Sequence, residues 1–170
     1  FRVSGGVEGG YADGPLVKFL HGFGYYKRIK GDVIWAYEHD LGMMPYDHDK
    51  VGITERFFLG GSSDVRGFSA RGASPVDGGY KRLRVGGATK FAQRNEIRFP
   101  IVGPLKGRVF VDDGFIDKRP WNFRNPRVSS GLGFIVDLKI VNVEVDFARA
   151  VVYRETDSRR LVHFRIASRF

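Results

Sequence analysis

The feature that most constrains this fold is a strict alternation of apolar and polar residues along several segments. From Val141 to Ala148 the odd positions are Val, Val, Val and Phe, whereas the even positions are Asn, Glu, Asp and Ala. A period of two places successive side chains on opposite faces of an extended strand. The same alternation recurs in Val33–Asp40, Phe91–Ile101 and Val162–Phe170. The sequence therefore predicts strands that have one apolar face and one charged face.

The whole chain divides into eight such segments, each near the length that crosses a bilayer at a tilt. Short turns rich in Gly, Pro and Asp separate some of them, and longer segments separate the others. Short turns at one end of the strands and long loops at the other are typical of an outer-membrane barrel. The predicted strands are Phe1–Glu8, Leu16–Arg28, Val33–Leu41, Thr89–Ile101, Lys106–Ile116, Ser129–Leu138, Val141–Val152 and Arg160–Phe170.

Two architectures accommodate these strands: a membrane barrel with its apolar face towards lipid, and a soluble β-sandwich with its apolar face inward. Full charges on the polar faces favour the barrel, because a water-filled lumen solvates them. No apolar run reaches the roughly 18 residues of a spanning helix, so a membrane location requires a closed barrel. Aromatic residues expected near strand ends resemble an interfacial girdle, at Trp35, Tyr37, Phe147 and Phe170.

Composition limits the other functions that the chain can have. It has 170 residues, a net charge of +9 and no cysteine, which excludes a disulfide framework and a thiolate metal site. The positive charge is compatible with a nucleic-acid surface, but base-stacking surfaces mix aromatic and charged side chains on one face. Here the two kinds occupy opposite faces, so we expect no nucleic-acid partner. We also expect no enzymatic activity, catalytic residue, metal or cofactor, because neither a Ser–His–acid set nor a metal-ligand spacing is present.

Four motif blocks follow one another in the second half of the chain. In order they are ERFFLGGSSDVRGF (Glu55–Phe68), NEIRFP (Asn95–Pro100), GRVFVDDG (Gly107–Gly114) and RVSSGLG (Arg127–Gly133). Together they resemble the signatures of the BamA-type superfamily of outer-membrane assembly and translocation proteins. The resemblance covers about residues 53–170. It departs from the family at Asp137–Ile140, where the family commonly has a Pro-Gly-Pro-like hairpin.

The resemblance implies an all-β fold in which residues 1–170 form the C-terminal eight strands of a sixteen-stranded transmembrane antiparallel β-barrel. It places the protein in the bacterial outer membrane, with a loop of about residues 42–87 inserted into the lumen. The implied partners are outer-membrane lipid, nascent β-barrel client proteins, accessory lipoproteins, and N-terminal barrel strands and POTRA domains that this chain lacks. The implied function is the insertion of clients through the barrel seam. A two-partner secretion transporter of the same superfamily is the alternative.

The residues expected to serve this function lie in the loop and on the charged face of the strands. Arg66 is expected to bind Glu96 and Asp112, because both carboxylates fall on the charged parity and a guanidinium binds carboxylates bidentately. Asp113 has the opposite parity and suits this role less well. The remaining loop-motif residues are Val65, Gly67 and Phe68, with Gly60, Gly61, Phe110 and Gly114 in support. The terminal-strand residues expected at the seam are Val162, Phe164, Ile166 and Phe170.

Overall fold

The computed structural model describes residues 2–11, 15–78, 83–138 and 140–168. This part of the chain contains eight β-strands, which form one antiparallel sheet in sequential order, and two short 3-10 helices. The predicted all-β antiparallel fold is therefore confirmed. The strands are β1 (Arg2–Tyr11), β2 (Pro15–Lys30), β3 (Val33–Met43), β4 (Thr89–Val102), β5 (Leu105–Asp117), β6 (Arg127–Asp137), β7 (Val141–Val152) and β8 (Val162–Ser168).

The connections alternate in length, so the sheet has a short-turn end and a long-loop end. Gly31 and Gly103 lie in the tight turns after β2 and β4, with φ of 55° and 52°. The long-loop end carries the connections 44–88, 118–126 and 153–161. The first of these, named here the long loop, contains both 3-10 helices, His48–Lys50 and Ile53–Glu55. No helix within the described ranges is long and apolar enough to cross a membrane.

Strand ends differ from the prediction at both ends of the sheet. The sequence predicts that β1 ends at Glu8, but its pairing with β2 continues through Gly9↔Val17, because backbone hydrogen bonds sustain the ladder where glycine interrupts the side-chain pattern. The predicted start of β8 at Arg160 is wrong. The backbone N–H of Arg160 donates to the carbonyl oxygen of Gly67 in the long loop, 3.0 Å away, instead of joining the ladder. Phe1, Lys139 and Phe170 lie outside the described residues.

The two faces of the sheet have opposite chemistry. On β7 the side chains of Glu144, Asp146 and Ala148 are buried, whereas Phe147 between them is 42% exposed. We call the buried, charged side the inner face and the exposed, apolar side the outer face. The outer face presents large apolar side chains on successive strands, among them Trp35, Ile97, Val109, Val111, Leu132, Phe134, Phe164 and Ile166. A β-sandwich would bury this face, so the distribution fits a wall that faces lipid.

The predicted aromatic girdle is present only in part. Trp35 is the third residue of β3 and lies near the short-turn end. Tyr37 and Phe147 instead lie within the wall, where Tyr37 pairs with Tyr25 and Phe147 pairs with Leu132. Their prediction as strand-end residues is wrong, because the ladders continue for several residues beyond them.

A cluster of polar side chains interrupts the apolar outer face, and these side chains form hydrogen bonds with one another. The Tyr37 hydroxyl donates to Gln93 Oε1 at 3.2 Å, and His39 Nδ1 lies 3.2 Å from the same hydroxyl. His39 Nε2 lies 3.2 Å from His21 Nδ1. Asp113 pairs with Gln93 across β4 and β5, so it also faces outward. Mutual hydrogen bonding lowers the cost of exposing these groups on an apolar wall.

The assignment of the two faces is tested by neighbouring positions on β4. In the full-length protein without other cysteines, Ile97→Cys and Arg98→Cys are each labelled with a fluorophore in lipid vesicles. Because Ile97 is on the outer face and Arg98 on the inner face, brominated acyl chains should quench the label at 97 alone. Aqueous iodide should quench the label at 98 more strongly. Equal quenching at both positions by the brominated chains would show that the faces are assigned incorrectly.

Candidate functional site

The long loop folds back onto the inner face at the ERFFLGG…VRGF block. Gly60 and Gly61 have φ of 108° and 118°, a region that glycine enters without steric cost. The N–H of Gly61 donates to the carbonyl of Val65 at 3.3 Å, which closes a compact turn. Val65 is fully buried beyond this turn. The glycine pair therefore reverses the chain and presents the four residues 65–68 to the sheet.

Arg66 binds Asp112 of β5 through three donors. Its Nε and Nη2 donate to the two carboxylate oxygens, each at 2.7 Å, and its backbone N–H donates to Oδ2 at 3.0 Å. The two side-chain bonds form the planar, bidentate pair that a lysine cannot make. The Arg66 side chain is 2% exposed and that of Asp112 is 0% exposed, so both charges are removed from water. The loop is thereby attached to the middle of the inner face.

Two further carboxylates and an aromatic ring complete the surroundings of Arg66. Its Nη1 lies 2.7 Å from Glu96 Oε1 and 3.4 Å from Asp146 Oδ2. Its guanidinium carbon lies 3.5 Å from the centre of the Phe110 ring, a cation–π contact. Burial alone would lower the pKa of Arg66, but its hydrogen bonds to Asp112 and the surrounding carboxylate charges raise that pKa overall. Arg66 is therefore held in its charged form.

The charges continue across the inner face as one network. Arg108 of β5 is 1% exposed and donates to Asp146 Oδ1 at 2.6 Å and to Glu144 Oε2 at 2.9 Å. Arg165 of β8 donates to the same Glu144 oxygen at 2.6 Å. We name this the inner-face network, which consists of Arg66, Arg98, Arg108, Arg165, Glu96, Asp112, Glu144 and Asp146. Four guanidinium groups face four carboxylates in this network. Arg66, Arg108 and the four acids are buried, whereas the Arg98 and Arg165 side chains are 29% and 31% exposed. Ion pairing offsets the cost of burying these charges.

Gly67 connects the loop to the last strand. Its N–H donates to His163 Nε2 of β8 at 2.9 Å, which requires the imidazole tautomer with its proton on Nδ1. A Cβ at Gly67, whose φ is 87°, would lie 3.0 Å from both the backbone nitrogen of Ala150 and Ser129 Cβ. Only glycine fits this position, and its close approach puts the loop in contact with β6, β7 and β8 together.

The remaining predicted loop residues form a small apolar core beside the network. Phe68 and Val65 are fully buried, and they belong to a cluster with Leu59, Ala73, Ala92, Ile116 and Ala150. Gly114 lies beneath this cluster, since a Cβ there would lie 3.0 Å from Val65 and 3.1 Å from Leu59. The loop is therefore attached to the sheet by both ionic and apolar contacts.

The predicted terminal-strand residues lie on the outer face of β8. Val162, Phe164 and Ile166 are 43%, 61% and 62% exposed, and Phe170 is beyond the described residues. β8 pairs with β7 over seven residues, and no other described strand pairs with its second edge. These three side chains do not touch the Arg66 site, which reaches β8 only through inner-face residues.

The sequence predictions did not include several members of the site, namely Arg108, Glu144, Asp146, Arg165 and His163. The alternation places each of them on the inner face, and this signal is visible in the sequence. Choosing their partners requires the register between strands, such as Gly133↔Asp146 and Glu144↔Arg165. The register depends on how the strands pair in three dimensions, so the alternation alone does not determine which side chains form ion pairs.

Substitution at Gly67 tests the fit of the loop against the wall. We expect Gly67→Ala to displace the loop, because the added Cβ meets Ala150 and Ser129 and the positive φ costs alanine about 1 kcal/mol or more. Limited proteolysis of the long loop in the full-length protein should become at least several-fold faster. Gly78→Ala is the matched control, because no atom of the described residues lies within 4 Å of a Cβ at that loop position. Equal proteolysis rates for the two variants would contradict the described docking.

Comparison with known proteins finds similarity at the level of family, sequence and fold. The model of the Omp85 superfamily domain matches residues 1–170. A SAM50-like protein of Schizosaccharomyces pombe is 27% identical over 125 residues, which cover 65% of this chain and 26% of that protein. The crystal structure of BamA from Haemophilus ducreyi lacking POTRA domains 1-3 superposes with a TM-score of 0.74 at 16% identity, over 88% of this chain and 34% of that one.

The chain thus spans about a quarter of the SAM50-like relative and a third of the BamA chain. The structural match shows a shared barrel fold, and the family match covers the full length of the sequence. The resemblance drawn from the motif blocks and the integral outer-membrane location are both confirmed. The chain belongs to the Omp85 superfamily.

Proposed function

We propose that the protein containing this chain assembles other β-barrel proteins into the outer membrane and does so without enzymatic chemistry. The supporting observation is the docked loop, which the inner-face network joins to the last strand of the sheet. His163 and Arg165 of β8 contact Gly67 and Glu144 respectively. The position of β8 is therefore coupled to the loop by buried polar contacts.

The edge of β8 suits the addition of a client strand. An edge strand presents unpaired N–H and C=O groups, which are a template for pairing with another chain. Among the described residues, β8 pairs with β7 from Val141↔Ser168 to Phe147↔Val162, and no described strand pairs with its other edge. We infer that the contacts from the loop help to keep this edge strand in place.

The predicted residues take the following roles in this proposal. Val65, Arg66, Gly67 and Phe68 anchor the loop, and Glu96 and Asp112 hold Arg66. The chain forms the C-terminal half of a larger barrel, whose missing N-terminal strands close it at the seam. Nascent barrel proteins are the clients, and POTRA domains and accessory lipoproteins are further partners. The Omp85 superfamily match and the similarity to the SAM50-like protein support this function. A two-partner secretion transporter of the same superfamily would share the barrel fold and is the alternative.

The proposed function is tested by assembly into lipid vesicles. Full-length protein is reconstituted, an unfolded barrel client is added, and folded client is measured by its heat-dependent migration on gels. We expect Arg66→Ala to slow assembly about tenfold or more, because removing one partner of a buried ion pair costs about 3–5 kcal/mol. Lys50→Ala is the matched control, because Lys50 is an exposed cation of the same loop whose side chain binds no described residue.

Three outcomes would contradict the proposal. Assembly by the Arg66→Ala protein at the rate of the Lys50→Ala protein would show that the docked loop is not needed. Failure of the unaltered protein to accelerate client folding would reject the assembly function itself. If cells that carry the variant keep normal levels of folded outer-membrane barrels but lose a secreted protein, the chain belongs to a secretion transporter.

A further inference from the structure

Three arginines surround an open hollow at the long-loop end of β7. Arg149 comes from the end of that strand, whereas Arg159 and Arg160 come from the segment that precedes β8. The hollow has a volume of about 490 Å³, and Tyr153 and Leu161 form part of its wall. All three arginine residues are exposed. We name it the arginine hollow.

The positive charge of this hollow is not balanced by its own acid. Asp157 is the carboxylate in its lining, but Arg127 binds it from outside the hollow, with Nε–Oδ2 and Nη2–Oδ1 distances of 2.9 and 3.2 Å. The side chains of Arg149 and Arg160 make no hydrogen bond or ion pair to any residue in the described ranges. Arg159 packs on the Tyr153 ring at 4.2 Å, which leaves its donors available. Among the described residues, the hollow is therefore a cationic site without a counter-ion.

The hollow lies at the end of β7 where the wall meets the loops, and Gly67 of the long loop and the inner-face residues Ala148 and Ala150 also line it. Arg149 has the same parity as Val145, Phe147 and Val151, so its side chain leaves β7 on the outer face. A charged side chain on the lipid side is strongly unfavourable at the bilayer midplane and tolerated only near the interface. Val151 and Leu161 beside it are 59% and 62% exposed. The surroundings thus offer cations at headgroup level and apolar side chains directly next to them.

We propose that the arginine hollow binds the phosphorylated headgroup of a lipid in the membrane leaflet at the long-loop end. Guanidinium groups bind phosphate oxygens through paired hydrogen bonds, and they bind best where water is partly excluded. The acyl chains of the same lipid would lie along Val151 and Leu161. A free phosphate ion would gain the ionic contacts but not this apolar contact, which is why we assign the site to a lipid.

The test measures lipid binding to the full-length protein in neutral detergent micelles by native mass spectrometry. The probe is bisphosphorylated lipid A, and the comparison lipid is the same glycolipid with both phosphates removed. The variant is Arg149→Gln/Arg160→Gln. The matched control is Arg28→Gln/Lys30→Gln at the short-turn end. It also removes two positive charges from exposed positions.

We expect the affinity for bisphosphorylated lipid A to fall about thirtyfold in the hollow variant, and less than about twofold in the control. The unaltered protein should bind the dephosphorylated glycolipid weakly, and added salt should weaken its binding of the phosphorylated form. These two measurements need no variant, so they decide the question even if the substitutions impair folding.

Several results would overturn the proposal. The first is equal affinity of the unaltered protein for the two lipids. The second is an equal loss of lipid A affinity in the hollow variant and the control variant. The third is no loss of lipid A affinity in a hollow variant that migrates on gels as a folded barrel. Inorganic phosphate serves as a competitor. If it displaces lipid A at equal molar concentration, the site binds a free anion and the assignment to a lipid is wrong.

Discussion

The attachment of the long loop to the sheet depends on the buried guanidinium group of Arg66. Arg66 leaves the long loop and enters a group of three carboxylates on the inner face, from Glu96, Asp112 and Asp146. An ion in this position is stable only when opposite charges and directed hydrogen bonds surround it. The carboxylates in turn would be strongly unfavourable without it. Loop and sheet therefore stabilise each other, because each would contain unpaired charges without the other.

The same constraint explains why the sheet is built with its charged side inward. Lipid solvates the apolar outer face of each strand. The charged side chains of the inner face must therefore find ion-pair and hydrogen-bond partners within the protein. The inner-face network does this with four arginines and four acids, and it spans β4, β5, β7 and β8. A network that spans the sheet gives the loop contact with the terminal strand, where the proposed function takes place. Arg149, Arg159 and Arg160 lie outside this network and line the arginine hollow, where we propose that they bind a lipid phosphate.

Alternation in the sequence predicted most of the fold. It gave all eight strands and the two faces, because a period of two is a local property of an extended chain. It also gave Glu96 and Asp112 on the inner face, whereas Arg66 was predicted from its glycine-flanked loop motif and the family resemblance. It did not give Asp146 as a third carboxylate or Arg108 as its partner, since these depend on register between strands that are distant in sequence. The contact of Gly67 with His163 depends on the folded path of the loop, for which the sequence carries no periodic signal.

The exceptions to alternation are also informative. His21, His39 and Asp113 break the apolar pattern of the outer face, and there they stand with Tyr37 and Gln93 in one hydrogen-bonded group. Arg149 breaks the same pattern near the end of β7, and it lines the arginine hollow. In the first case the polar groups satisfy one another. In the second, no described residue supplies a partner for the Arg149 side chain, which makes the position a candidate for binding.

Arg66 and Asp112 stabilise the folded protein as a pair. A double-mutant cycle measures this directly, from the free energies of unfolding in lipid vesicles of the unaltered full-length protein, Arg66→Ala, Asp112→Ala and the double variant. We predict a coupling free energy above about 1 kcal/mol, because residues in one buried charge network are strongly non-additive. Effects that add to within about 0.5 kcal/mol would contradict the account, since independent sites behave in that way.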